Sequence, residues 1–347
     1  MKVLGLITSP IDPASRIRIQ QYQKYLTDEN IYLQTKSFNI YRDANPAPWT
    51  YRLKNITRIN EWRTTNILKS IIRLPLLIQQ YKYDIIWQNR LVLPYHYFFE
   101  NKFKKPLVFD FDDAIWLNEG EKHVTAAIKR ANCVFAGNSF LADFAESYNK
   151  NVVVIPSAVD TKTLYPTKSD NTVFNIGWIG TESNFNYLEI IKPAINSFLA
   201  QHPDTTFTVV SSYPPPKIDF DNQRILFKKW ELKEENNLIN SFSVGLMPLD
   251  NTTWTQGKCS YKMLQYMACA KPVIVSPVGT NNEILKEANI GYAATTTDEW
   301  VQALTQLYNN ENECQQLGKI GLEVIKNKYS CEMITPKIVS AFKNILH

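Results

Sequence analysis

The chain has 347 residues, with 38 Lys and Arg against 33 Asp and Glu, a net charge of +5 and 44% hydrophobic residues. That length suggests two domains, and the balance is that of a globular protein. The charge is too mild to imply a nucleic-acid partner, the 5 cysteines are scattered with no CxxC pair to frame a disulfide or zinc site, and no apolar run is long enough to span a bilayer.

The opening MKVLGLITSP lacks the basic start, long apolar run and cleavage site of a secretory leader. Residues 3–7 therefore read as a buried strand, and the expectation is a cytoplasmic protein. Residues 15–27 carry helical periodicity, with Ile19, Tyr22 and Leu26 on one side. Short apolar runs at 31–36, 84–88 (DIIWQ), 107–111 (LVFDF), 133–136 and 152–155 predict further strands. Helical stretches at 66–81, 94–102 and 139–148 separate them. A stretch rich in Pro, Thr, Ser and Asp at 156–169 reads as a linker. The pattern then restarts with strands at 174–179, 206–211, 224–227, 244–247 and 272–276, again with helices between. An amphipathic segment at 331–346 predicts a helix. Alternation of this kind builds parallel sheets covered on both faces, and two such arrays leave a crevice at the carboxyl ends of their strands.

Four segments carry candidate chemistry. The richest is GKCSYKMLQYMACAKPVIVS at 257–276, a polar loop, then a helix with Met263, Leu264, Met267 and Ala268 inward, then a buried strand. The free N–H groups of a helix start suit a diphosphate, and Lys258 and Lys262 add full positive charge there. A basic helix start that binds nothing is the competing reading. Against it, cations at that end run counter to the helix dipole, and such a conflict favours an anion. The second segment is IGWIGTESN, where Gly177 and Gly180 bracket Trp178 and where Thr181 and Ser183 are placed to cap the next helix. It lacks the GxGxxG dinucleotide fingerprint. The third is Asp110-Phe111-Asp112-Asp113 at a strand end. Three acids there call for a cation, sugar hydroxyls or backbone donors, with helix capping by one of them and a metal held by Asp110 and Asp112 both open. The fourth is PASRIR at 13–18, where Arg16 and Arg18 are either a solvated helix start or a clamp on phosphate or an acidic acceptor.

Together these pieces resemble glycosyltransferase family 4, the retaining enzymes of the GT-B fold. PASRIRIQQYQKYL is similar to that family's first loop and helix, and VFDFDDAIW to a motif of a bacterial branch. FAGNSFLADFAESYNKNVVVIPSAVDTKTLYP resembles the segment that closes the first domain, and IGWIGTESN the start of the second. VGLMPLDNTTWTQGKCSYKMLQYMACAKPVIVSPVGTNNEIL resembles the donor-binding core. One departure stands out: Gly257 and Gln265 occupy the positions of two glutamates that many members carry.

The resemblance implies an α/β GT-B fold of two Rossmann-like domains facing a central cleft. An acceptor domain would span 1–160, with the helix at 331–347 packing back on it, and a nucleotide-sugar domain 161–330. It implies transfer of a sugar from a nucleotide-diphosphate donor, with retention and without metal or other cofactor, to a glycan or lipid-linked saccharide of a bacterial surface polysaccharide. Donor contacts would come from Gly180, Thr181, Lys258, Cys259, Ser260, Tyr261 and Lys262. Lys229 and Trp230 would meet the base, Gln265 the ribose, and Glu283 the ribose or donor sugar. Asp112 or Asp113 would orient or deprotonate the acceptor hydroxyl, and Ser15, Arg16 and Arg18 would hold acceptor or phosphate. The basic, apolar-interleaved stretch 52–82 is a candidate contact with an anionic membrane at the inner face of the cell membrane, with an ordinary core-packed helix as the competing reading. Rival readings are a non-catalytic sugar- or nucleotide-binding scaffold, a metal-dependent GT-A-like transferase built on Asp110 and Asp112, and a nucleotide-sugar epimerase.

Overall fold

The structure is a computed structural model and describes residues 1–37, 70, 71, 73–168, 173–215 and 224–346. The chain divides into two compact units, Met1–Pro156 with Ile334–His347, and Ser157–Met333. The sequence reading draws its boundary at 160/161.

The first unit holds β1 (Lys2–Ile7), β2 (Tyr32–Ser37), β3 (Ile85–Asn89), β4 (Leu107–Phe111), β5 (Cys133–Ala136) and β6 (Val152–Val154) in the order β2-β1-β3-β4-β5-β6, all parallel. β3, β4 and β5 are buried along their whole length, which is why each opens on an apolar run, with Gln88, Asn89 and Asp110 as buried polar exceptions toward the strand ends. Strand order reverses between β1 and β3. Helix Cys331–Asn344 brings Phe342 onto this sheet, where its ring meets Trp87 edge-on at 5.5 Å and stacks near Phe135 at 6.0 Å.

The second unit holds β7 (Phe174–Ile179), β8 (Thr205–Ser211), β9 (Ile225–Lys229), β10 (Val244–Met247), β11 (Val273–Val275) and β12 (Gly291–Ala293) in the order β12-β11-β10-β7-β8-β9, again all parallel. The reversal falls between β7 and β10, the place where doubly wound sheets take ligands. Gly177 and Gly245 face each other across that pair. A Cβ on either would lie within about 2.2 Å of a ring, Phe242 on Gly177 and Tyr266 on Gly245. Absent side chains thus let two aromatics lie flat on the sheet. The Tyr266 hydroxyl accepts from Ile179 N at 3.1 Å and donates to Leu246 O at 3.1 Å, which ties the ends of β7 and β10 together.

Every strand expected from an apolar run forms, and β12 is an addition that no such run announces. The helix expected at 15–27 is instead broken at Ile19, where φ is −126° and ψ −57°, into Pro13–Arg18, a 3-10 turn Gln20–Tyr22 and Gln23–Asp28. The break places both Ile19 and Tyr22 in the core. The helix expected at 94–102 is reduced to Phe98–Lys102, since Tyr95, inside the expected span, takes left-handed backbone with φ of 63°. Of the helix expected at 66–81, residues 66–69 and 72 lie outside the described residues, and Pro75–Gln79 is helical.

Candidate functional site

In the second unit, three loops emerge at the carboxyl ends of β7, β10 and β11. Gly180 leaves β7 with its N–H on Val210 O at 3.0 Å. A Cβ there would meet the Trp178 ring at 2.5 Å and Lys262 Cε at 2.7 Å. Lys262 therefore runs across a slot that only glycine leaves open. Thr181 starts a 3-10 helix, Glu182–Tyr187, but does not cap it. Its hydroxyl contacts Ser183 Oγ at 3.0 Å and accepts from Asn184 at 2.8 Å, so the expected capping by Thr181 and Ser183 is replaced by a local side-chain cluster.

After β10, Leu249 N donates to Ser276 Oγ at 3.0 Å, and a capping box between Thr252 and Thr255 sets the short helix Thr253–Gln256. Lys258 follows, with its Nζ 5.5 Å from the Trp254 ring centroid and 5.7 Å from Tyr187. Lys262 Nζ stands 5.8 Å from Trp178. Ser260 adopts a left-handed conformation, φ 54°, at the start of helix Tyr261–Ala268, and no side chain caps that helix. Its hydroxyl instead donates to Asn281 Oδ1 at 2.6 Å, and Asn281 Nδ2 donates to Ser276 O at 3.0 Å. Asn281 lies in helix Thr280–Glu287, whose start also lacks a side-chain cap. One hydrogen bond thus joins two helix starts whose leading N–H groups carry partial positive charge. A non-glycine residue at positive φ costs about 1 kcal/mol or more, and such strain gathers at ligand sites.

The structure brings Gly180, Lys258, Ser260 and Lys262 together around this junction. Cys259 is buried, with its Sγ 3.8 Å from Gly257 O, and Tyr261 packs partly into the core. Gln265 is 4% exposed, within helix Tyr261–Ala268. Glu283 is exposed one half-turn beyond Asn281. Lys229 and Trp230 lie apart, at the end of β9, two strands away from β7. Trp230 Nε1 donates to Glu235 at 2.9 Å. Lys229 helps to line a cavity of about 620 Å³ with Asn175, Thr206, Thr208 and Asn237, which none of the other expected donor residues reaches.

In the first unit, the loop after β1 is organised by Asp12. It accepts from Ser15 N at 2.9 Å and Ser15 Oγ at 2.9 Å, while Ser15 Oγ accepts from Thr8 N at 3.0 Å. Ser15 is fully buried and consumed by the turn. Arg18 is 1% exposed. Its Nε lies 2.9 Å from Asp110 Oδ1, its Nη1 donates to Ile155 O at 2.7 Å, and Trp87 Nε1 donates to Asp110 Oδ2 at 3.0 Å. Arg18 is thus an interior strut, not an acceptor clamp, and of the three residues assigned to acceptor or phosphate only Arg16 reaches the surface. Asp110 is fully buried against Arg18 and Trp87, so it is not available to a metal. That removes the geometry of the GT-A-like alternative.

Asp112 and Asp113 both face Arg90 Nη2, at 3.4 and 2.5 Å. Neither caps the next helix, Trp116–Glu119, which has no side-chain cap. Burial opposes the Arg90 charge, but Asp112, Asp113, Glu119 and Asp12 outweigh it and hold the guanidinium firmly ionised. Glu119 accepts from Leu91 N at 3.3 Å, and burial pushes its carboxyl up to about 7. Sequence reasoning passed over Arg90, Glu119, Asn281 and Tyr266. For Arg90 a signal existed: a charged residue directly after the buried run DIIWQN.

The stretch 52–82 lies outside the described residues up to position 69 and at 72. Of the rest, Arg73 is 6% exposed beside Glu100 rather than on an open cationic face. Ile71, Leu74, Ile78 and Tyr81 are exposed at helical spacing. Among the described residues no helix is long and apolar enough to cross a membrane.

Residues 171–310 match the family model described as Glycosyl transferases group 1. No curated protein matches the chain in sequence. Among solved structures, the chain is similar to HepE of Anabaena in complex with UDP-glucose (TM-score 0.72, 14% identity, 99% of this chain and 100% of that one). It is also similar to sucrose-phosphate synthase of Thermosynechococcus elongatus (TM-score 0.70, 13% identity, 99% and 98%) and to a glycosyltransferase of Rickettsia africae (TM-score 0.71, 13% identity, 99% and 98%). At these identities the likeness is one of fold, and the fold is the α/β, two-unit Rossmann-like type of the GT-B glycosyltransferases.

Proposed function

We propose that the chain is a glycosyltransferase that moves a sugar from a nucleoside-diphosphate donor to a saccharide or lipid-linked saccharide, with retention and without a metal. The observation that carries this reading is the Ser260–Asn281 junction. It sets two uncapped helix starts beside Lys258 and Lys262, at the strand-order reversal of a unit that matches the group 1 glycosyl transferases. Donors of that kind stabilise the charge that grows on a departing diphosphate, the task a divalent ion performs elsewhere.

In this reading, Gly180 and Thr181 border the diphosphate, Gln265 meets the ribose, and Glu283 meets ribose or donor sugar. Lys229 and Trp230 take the base. Asp112 or Asp113, set in place by Arg90, orients or deprotonates the acceptor hydroxyl, with Arg16 at the rim. The exposed row Ile71, Leu74, Ile78 and Tyr81 supports contact with a membrane surface that presents the acceptor. HepE holds UDP-glucose in its solved complex, which puts UDP-sugars first among donors to test.

The test is thermal denaturation against UDP-, GDP- and dTDP-sugars, followed by a transfer assay with the donor that stabilises. The correct donor raises the midpoint by mass action. No stabilisation by any of them overturns the donor reading. Transfer that stops in EDTA and returns with manganese overturns metal independence. A second reading, a binding scaffold without turnover, is favoured by Gly257 and Gln265 standing where the resemblance has glutamates. Stabilisation without transfer or donor hydrolysis decides for it.

A further inference from the structure

The loop that leaves β3 carries five consecutive exposed residues, Pro94-Tyr95-His96-Tyr97-Phe98, and all but the proline are aromatic. It opens on a tight turn. His96 N donates to Leu93 O at 3.0 Å, with Pro94 second and Tyr95 third in the turn. A third turn residue with φ above zero is normally glycine or asparagine. Here it is Tyr95, with φ of 63°. A bulky residue is thus held in left-handed backbone, and strain of this kind gathers at ligand sites. Two neighbours fix it there. Tyr95 N donates to Glu119 O at 2.9 Å, and a Cβ on Gly120 would come 2.9 Å from the Tyr95 ring and 3.2 Å from the His123 ring.

His123, from helix Glu121–Arg130, is the centre of the group. Its ring centroid lies 5.9 Å from that of His96 and 5.7 Å from that of Tyr97. Burial, with His96 and Lys122 nearby, holds its imidazole below the usual range, so the ring is neutral at neutral pH. Tyr95 and Tyr97 keep 44% and 37% of their surface open to water, which offers a ligand apolar rings with polar tips. The rings stand in the same loop cluster as the acid pair. Glu119 accepts from Tyr95 N and from Leu91 N, and it closes the helix that follows Asp112 and Asp113. A pyranose ring has the matching chemistry, with C–H bonds on one face for the rings and hydroxyls at its rim for the polar tips.

Resting on the reading that Asp112 or Asp113 handles the acceptor hydroxyl, we propose that Tyr95 and Tyr97, backed by His123, form a platform on which a pyranose ring of the saccharide acceptor stacks. A turn position suited to glycine is given to tyrosine for the sake of the ring, at a cost to folding. The platform recognises the sugar unit and not a lipid carrier.

Saturation-transfer NMR on the full chain provides the test, with the methyl glycosides of glucose, galactose, mannose and N-acetylglucosamine as probes and Tyr97→Ala, Tyr97→Trp and Tyr95→Gly as variants. In the parent at least one glycoside should receive saturation, strongest at the C–H protons of one ring face. Tyr97→Ala should weaken its binding about three- to tenfold, and Tyr97→Trp should keep it. Tyr95→Gly suits left-handed backbone, so it should weaken binding while the thermal midpoint stays level or rises. A lower midpoint with parent-like saturation would return that ring to packing and overturn its part in the platform. No saturation of any glycoside in the parent, or equal saturation in parent and Tyr97→Ala, overturns the platform. Stabilisation of the same sample by a nucleotide sugar then leaves the donor reading standing. Glycoside binding without stabilisation by any UDP-, GDP- or dTDP-sugar supports the platform and sinks the donor reading. Flotation with phosphatidylglycerol vesicles and sedimentation velocity cover the other occupants. If Tyr97→Ala loses vesicle recovery or self-association while glycoside binding is unchanged, the patch belongs to lipid or to a second copy.

Discussion

Arg18 and Asp110 are 92 residues apart in the chain and meet in the core of the first unit. Each was legible as a charged residue at the end of an element, and no local pattern announces their pairing. For the same reason Ser15 reads from sequence as a loop hydroxyl when it is spent on Asp12 and Thr8. Removing one partner strands a buried charge. Arg18→Ala should therefore lower stability by about 3–5 kcal/mol in urea denaturation, whereas an apolar replacement of both partners should recover most of the loss. A single variant within about 1 kcal/mol of the parent would contradict the interior-strut assignment. Glu119 offers a second residue-scale check. Its carboxyl is held up to about 7 from an ordinary 4.5, so the folded state binds the proton more tightly than the unfolded one. Its contribution to stability is full below the ordinary range and is lost as pH rises through about 7. Glu119→Gln keeps the contact with Leu91 N and should flatten stability between pH 5 and 8. It should exceed the parent at pH 8 by about 1–3 kcal/mol, a range that allows for its partial exposure. A variant with the parent's slope would place the titration elsewhere.

At the scale of elements, strands were legible because parallel strands buried on both faces must be largely apolar, as β5 is throughout and β4 is but for Asp110. β12, a three-residue strand of Gly, Tyr and Ala, carries no such run and was not legible. The donor helix was readable in its inward row Met263, Leu264 and Met267, but the task of Tyr266 was not, since its hydroxyl serves two strands that the sequence keeps far apart. Replacing Tyr266 with Phe keeps the ring on Gly245 and leaves Ile179 N and Leu246 O without a partner. A loss of about 1–3 kcal/mol is expected. Hydrogen exchange should speed at the Ile179 amide and stay unchanged at β4. Parent-like protection at Ile179 would show that the ends of β7 and β10 hold together without the phenol.

For the whole molecule, two successive strand–helix arrays were visible in the sequence, and two units formed. The Ser260–Asn281 bond that joins the loops after β10 and β11 was not visible, because it depends on a left-handed serine that no propensity marks. Phe342 belongs to the first unit and packs on Trp87 and Phe135. Phe342→Ala should cost about 3–5 kcal/mol. The loss should fall on that unit alone, with amide protection dropping in β3–β5 and staying level in β7 and β10. Equal loss of protection in both units would mean that the chain unfolds as a single cooperative body. The return of 334–346 to the first unit also sets an order of birth. On a ribosome every residue of the second unit is made before the piece that completes the first. The first sheet must therefore wait, with Trp87 and Phe135 lacking their cover, while the second array emerges and closes. Nascent first-unit sheet is the surface a chaperone would meet during synthesis.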